Sequence, residues 1–191
     1  MLWVRKLLMR MFGRPKGVLG RLGGVIMARV NREAAAQIIE MLDFRPDDKV
    51  LEVGFGPGVA IQLLLHRVPA GSVAGIDYSQ EMVRQAAARN AAALRNLRVD
   101  LRYGSVERMP FPDERFDKAL AINSMQAWPD ARPGLREIQR VLKHGGNVAL
   151  SFTVNSGQSK EGVAELLTAA GFAQARIVDR SKLFCAIATK P

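Results

Sequence analysis

The stretch from Val50 to Ala60 reads VLEVGFGPGVA. An apolar run passes through Glu52 into three alternating glycines, Gly54, Gly56 and Gly58, and a second apolar stretch begins at Val59. This pattern predicts a strand that runs into a tight turn and opens a helix. Glycine has no Cβ and adopts positive φ at little cost, so such a turn lays backbone bare against a ligand at the carboxyl end of a sheet strand. A dinucleotide fingerprint, Gly-x-Gly-x-x-Gly, would need its third glycine at position 59, where the chain has Val59. The spacing is instead acid-x-Gly-x-Gly-x-Gly, and the flanking segments must say what it holds.

Outward from the loop, strand and helix signals alternate. The first strand is expected over Lys49 to Phe55, with Pro57 starting a helix that continues through Ile61, Leu64 and Leu65. Ser72 to Asp77 gives a second strand, and Ser79 is a suitable N-cap for an alanine-rich helix to about Ala93. Further strands are expected at Arg98 to Tyr103, Phe116 to Asn123 and Asn147 to Thr153, the last entered through a His144-Gly145-Gly146 turn after a helix over Leu135 to Leu142. A helix over 160–170 ends at Gly171, and strands 175–180 and 183–189 close the chain around Arg180-Ser181-Lys182. The alternation predicts an α/β fold, a doubly wound, mostly parallel seven-stranded sheet with a closing antiparallel hairpin. One ligand-binding domain is expected over 45–191, preceded by an N-terminal segment over 1–44.

With 191 residues the chain can bury one core without staples. Its single cysteine, Cys185, lies in the apolar run LFCAIAT and is expected as a buried strand residue in a reducing, cytoplasmic setting. His66 and His144 are the only histidines, and no Cys/His cluster has zinc spacing, so no metal is expected. The formal charge is +10, yet residues 1–30 hold seven Lys/Arg and no acid, while the rest holds 21 against 18. A nucleic-acid enzyme would spread basic residues about its cleft; here the excess sits in one arm. In that arm Trp3, Val4, Leu7, Leu8, Met11 and Phe12 recur at helical spacing, with Arg5, Lys6 and Arg10 on the other side. Three readings stay open for residues 1–12, one being a transit peptide or misassigned start. In the other two the helix docks on its own domain, or it lies on the anionic inner membrane face, each basic residue contributing about 1 kcal/mol. Residues 13–24 carry five glycines and form a connector or hinge.

Acid-x-Gly-x-Gly-x-Gly resembles motif I of the class I S-adenosylmethionine-dependent methyltransferases. The segment YGSVERMPFPDERFD after the third strand resembles the branch that includes quinone-ring methyltransferases, and LREIQRVLKHGGNVALSFT resembles the family's later strand entry, with His144 in place of a usual proline. The resemblance covers about residues 45–190 and implies S-adenosyl-L-methionine as methyl donor. It implies that Glu52, Gly54 and Gly56 meet the methionine end, with Gly58 completing the donor-binding loop. Asp77, 19 residues past Gly58, is placed to accept hydrogen bonds from both ribose hydroxyls. Tyr78, Met82, Ser105 and Val106 are the candidates beside adenine; Ser105 stands where the family commonly has Asp, so polarity survives without charge. The donor carries a sulfonium and no phosphate, which suits an acidic loop.

The fourth strand leaves as AINSMQAWPD. By the resemblance, Asn123, Ser124, Gln126 and Trp128 flank the transferable methyl, Asn123 touching the donor as well. The Asn-Pro-Pro-aromatic motif of many base and glutamine methylating enzymes is absent, since Asn123 precedes Ser124 and Met125. A small, apolar or ring-containing acceptor, or a lipid, is therefore expected rather than nucleic acid. In-line alignment lowers the barrier by about 7–11 kcal/mol without a dedicated base, and no catalytic residue is assigned. Only VNSGQS follows the fifth strand where many relatives carry a covering insertion, so residues 13–42 are the expected lid.

Overall fold

In Lys49-Val50-Leu51-Glu52-Val53 only the first residue is exposed, the pattern of a strand covered on both faces. This strand is the centre of the computed structural model, which describes residues 32–180 and 182–191. The basic helix expected at 1–12 and the connector at 13–24 lie outside the described residues. Helical residues 32–41 (α1) lead to β1 (Lys49–Val53), α2 (Val59–Arg67), β2 (Ser72–Asp77), α3 (Gln80–Arg89), α4 (Ala91–Arg95) and β3 (Val99–Tyr103). β4 (Phe116–Ile122), α5 (Ala131–Val141), β5 (Leu142–Thr153), α6 (Val163–Ala169), β6 (Ala173–Arg180) and β7 (Leu183–Thr189) complete the chain.

The sheet has seven strands in the order β3-β2-β1-β4-β5-β7-β6. β1 runs parallel to β2, with Glu52 opposite Gly75, and to β4, with Glu52 opposite Leu120. β7 is antiparallel to both β5 and β6. The chain winds out from β1 to β3 and then returns to β4 on the other side of β1. Its switch point therefore lies between the carboxyl ends of β1 and β4, where open α/β sheets bind ligands.

Successive β1 residues face opposite layers. Leu51 and Val53 pack with Leu135 and Ile138 of α5 and with Val163 and Leu167 of α6. Val50 packs on the other side with Ile38 and Ile39 of α1 and Ile61 and Leu64 of α2. Ala34, Ala35, Ile38 and Ile39 of α1, and Leu42 just beyond it, are all buried in that second layer. The C-terminal end of the expected lid segment is thus part of the core. Cys185 is buried there too, and burial pushes its thiol up to about 12, as befits a packing residue.

Several boundaries move for physical reasons. The helix after the glycine loop starts at Val59, not Pro57, because Gly58 at φ +77 is left-handed and acts as N-cap. The alanine-rich helix stops at Arg89 because the Asn90 side chain donates to the carbonyls of Ala86 (2.9 Å) and Gly58 (3.1 Å), and α4 restarts beyond it. β5 begins at Leu142, so the expected His144-Gly145-Gly146 turn is a bulge within the strand, the pairing jumping from Phe116–Leu142 to Lys118–Asn147. Lys190 holds that bulge from the end of β7, its N–H donating to Gly146 (2.8 Å) and its carbonyl accepting from Gly145 (2.9 Å). α6 begins at Val163 rather than 160 because Gly162, at φ +78, is left-handed.

Candidate functional site

The loop after β1 is stitched to the neighbouring strand ends. Gly54 N–H donates to the Ile76 carbonyl at 2.8 Å, and Gly58 N–H to that of Phe55 at 3.0 Å. Asp77, at the tip of β2, accepts from Gly56 N–H through Oδ2 (2.9 Å) and from Ser79 N–H through Oδ1 (2.8 Å). One carboxylate thus joins the loops after β1 and β2. Two of the glycines are required by close neighbours. A Cβ on Gly54 would overlap Ser124 Oγ, and one on Gly58 would come within 2.7 Å of Ala86 Cβ and Asn90 Nδ2. Gly58 therefore lets α2 press on α3, whereas Gly54 lets the exit of β4 close on the loop.

Glu52 is 3% exposed, and its Oε2 has no hydrogen-bond partner. Burial, and then the neighbouring Asp77 charge, push its carboxyl up to about 8. Asp77 is pushed up to about 6 by burial, with the Ser79 and Gly56 N–H groups pulling the other way. Among the described residues neither acid has an ion-pair partner within 4.0 Å. A buried acid left without a partner is costly to a fold and marks a place where a cation or donor group belongs.

Beyond Asp77 the chain presents two tyrosines. Tyr78 is 60% and Tyr103 52% exposed, their ring centroids 6.0 Å apart and tilted by 33°. Tyr103 was not singled out from the sequence. The signal was available, because the chain's only two tyrosines end adjacent strands, Asp77 lying opposite Tyr103 in register. Ser105 Oγ accepts from Glu107 N–H (3.2 Å), which shapes the loop after β3. Val106 and Met82 are buried, Val106 within the layer formed with α5.

On the β4 side, Asn123 adopts φ +48 and its Oδ1 accepts from Thr153 N–H (2.9 Å) and Thr153 Oγ1 (3.2 Å). The exit of β4 is thereby tied to the end of β5. Buried Ser124 accepts from Trp128 Nε1–H (2.9 Å), and the Trp128 ring lies against Gly134 of α5. Gln126 is exposed. Glu52, Gly54, Gly56, Asp77 and Ser124 converge at the switch point, while Met82 and Val106 are buried and Trp128 lies partly buried against the α5 layer. His144 sits at the amino end of β5, the opposite sheet edge, between Pro191 and Glu114, and His66 is exposed on α2. The described residues contain no His/Cys/Asp/Glu group able to hold a metal, and none of their helices is long and apolar enough to cross a membrane.

Residues 50–146 match a family model described as a methyltransferase domain. The putative methyltransferase YrhH of Bacillus subtilis is 31% identical, the match covering 80% of this chain and 84% of that protein. The ubiquinone/menaquinone biosynthesis C-methyltransferase UbiE of Geotalea daltonii is 29% identical over 68% of this chain and 55% of its own length. A SAM-dependent methyltransferase structure from Aquifex aeolicus superposes with a TM-score of 0.74 at 22% identity, covering 82% of this chain and 89% of that one.

Proposed function

The chain belongs to the class I S-adenosylmethionine-dependent methyltransferases, and from that premise we propose that it methylates a small, apolar or ring-containing molecule or a lipid. When bound, the donor supplies a methyl group on a positively charged sulfur, open to in-line attack by a nucleophile, with the carbon–sulfur electron pair leaving on sulfur. Glu52 offers its unpartnered Oε2 to the ammonium of the methionine end, and Gly54 and Gly56 keep main chain close to it. Asp77 takes the ribose. A carboxylate has about four acceptor positions, so two remain for sugar hydroxyls after Gly56 and Ser79 are served. Tyr78, Met82, Ser105 and Val106 surround adenine.

On the acceptor side, Asn123, Ser124, Gln126 and Trp128 position the nucleophile, whose proton passes to solvent. Residues 13–42 serve as a cover anchored by the buried side of α1, with 45–191 as the donor-binding domain. The basic amphipathic start, residues 1–12, brings the opening to the inner membrane face of the cytoplasm. The name of the UbiE relative supports a ring-type acceptor.

The observation that carries this reading is the pair of acids at the switch point, without a cation of the protein's own among the described residues and with one buried oxygen free. That environment suits a cationic nucleoside and repels a pyrophosphate. Calorimetry with S-adenosylmethionine, S-adenosylhomocysteine and NAD tests it: saturable binding of the first two and none of the third is expected. No affinity for either sulfur nucleoside would overturn it. Incubating the protein and labelled donor with fractionated lipid and metabolite extracts, then weighing the labelled product, identifies the acceptor.

A further inference from the structure

A second concavity opens on the same sheet edge, beyond the end of β5. It encloses about 290 Å³ between the ends of β5, β6 and β7 and the loop before α6. Its floor is the partly buried ring of Phe184, backed from beneath by the fully buried Phe152, with centroids 4.9 Å apart and planes 27° from parallel. Val154, 74% exposed, extends that apolar surface to the rim. Two cations and one carboxylate complete the lining. Lys160 is engaged with Asp179 at 3.1 Å, whereas Arg180 has no ion pair among the described residues.

The concavity neighbours the methyl-transfer side. Thr153, one of its lining residues, is the residue bonded to Asn123 at the exit of β4. β5 neighbours β4, and β7 is the next strand out. At about 4.8 Å per strand the concavity therefore lies roughly 5–10 Å to the side of the β4 exit. A molecule of one or two rings reaches from one to the other. The volume, near the lower end of small-ligand sites, admits a ring or short chain.

Resting on the methyltransferase reading, we propose that this concavity is the distal subsite for the acceptor, which is a ring-bearing acid. Its apolar body lies on Phe184 and Val154, and its carboxylate or similar anion is met by Arg180. The acceptor's nucleophilic atom then projects past Thr153 toward Asn123 and Ser124. The apolar floor supplies burial and the unpaired guanidinium supplies the sign of the charge it selects.

The probes are 2-naphthoate and its uncharged isostere 2-naphthamide, titrated by fluorescence against the full chain in the presence of saturating S-adenosylhomocysteine. Naphthoate is expected to bind saturably at one site, at least fivefold tighter than the amide. Arg180→Gln should erase that preference and Arg180→Lys should keep most of it, while Val154→Asp should weaken both probes. Both positions are exposed, so the variants are expected to fold. Equal affinity for the two probes, indifference to Arg180→Gln, or absence of saturable binding would overturn the subsite. Failure of the underlying reading shows separately, as loss of S-adenosylhomocysteine binding in the unmodified chain.

Discussion

Donor binding should release a proton from Glu52. Burial and the Asp77 charge raise its carboxyl to about 8, so the free protein at neutral pH holds it mostly neutral, while Asp77, at about 6, is mostly ionised. A ligand ammonium beside Oε2 favours the ionised form, so binding must first deprotonate it. Below the free pKa that linkage makes the donor dissociation constant fall about tenfold per pH unit, or about 1.4 kcal/mol. From pH 6.5 to 7.5 affinity for S-adenosylhomocysteine should therefore rise about tenfold, with close to one proton released, as measured by calorimetry in buffers of different ionisation enthalpy. Glu52→Gln should bind more weakly and remove most of the slope. Stability should run the other way. An acid whose folded pKa lies above its unfolded value binds more protons folded, so its favourable contribution is complete below about 4.5 and is lost as pH rises to about 8. The melting temperature of the donor-free protein should decline over that range by the equivalent of a few kcal/mol at most, and Glu52→Gln should flatten the decline. A slope of log Kd against pH that is zero in the unmodified protein, or intact in Glu52→Gln, would refute the reasoning.

Other outcomes follow from the same geometry. Asp77→Ala removes both the expected ribose contacts and the tie to Gly56, and should weaken donor binding by about 100-fold or more in calorimetry, with Asp77→Asn less affected. Gly54→Ala introduces left-handed strain of about 1–2 kcal/mol plus overlap with Ser124. At about 2–4 °C per kcal/mol, a total near 3 kcal/mol lowers the melting temperature by roughly 6–12 °C, and pairing it with Ser124→Gly should recover part of the loss in a thermal scan. Deleting residues 1–12 should reduce partition onto anionic liposomes in a sedimentation assay while leaving donor affinity unchanged; equal partition would remove the membrane reading.

The sheet was legible because its signals are local. Apolar runs bounded by glycine and acid, with Asp77 the right distance past the loop, announce strands and the crevice at their tips. What escaped the sequence depends on who becomes whose neighbour. Gly58 looks like a ligand glycine until α3 is seen pressing Ala86 against it. Tyr103 means little until β2 and β3 pair and set it beside Tyr78. Asn123 reads as an acceptor residue, yet its side-chain oxygen spans to Thr153 across a strand pairing, 30 residues along the chain. His144 shows the converse: a local turn signal was right about the glycine bend at φ +75 but silent about its inclusion in β5.

The fit of Ser124 into the space that Gly54 leaves open constrains how such a protein diversifies. A larger residue at 124 would push on the loop that every substrate pairing needs, so that position is barred from tuning selectivity. Variation is left to the outward-facing Gln126 and to the β6–β7 tip, which can drift without touching the one-carbon machinery. Paralogues with new substrates should thus differ at the rim and agree at the contact between 54 and 124.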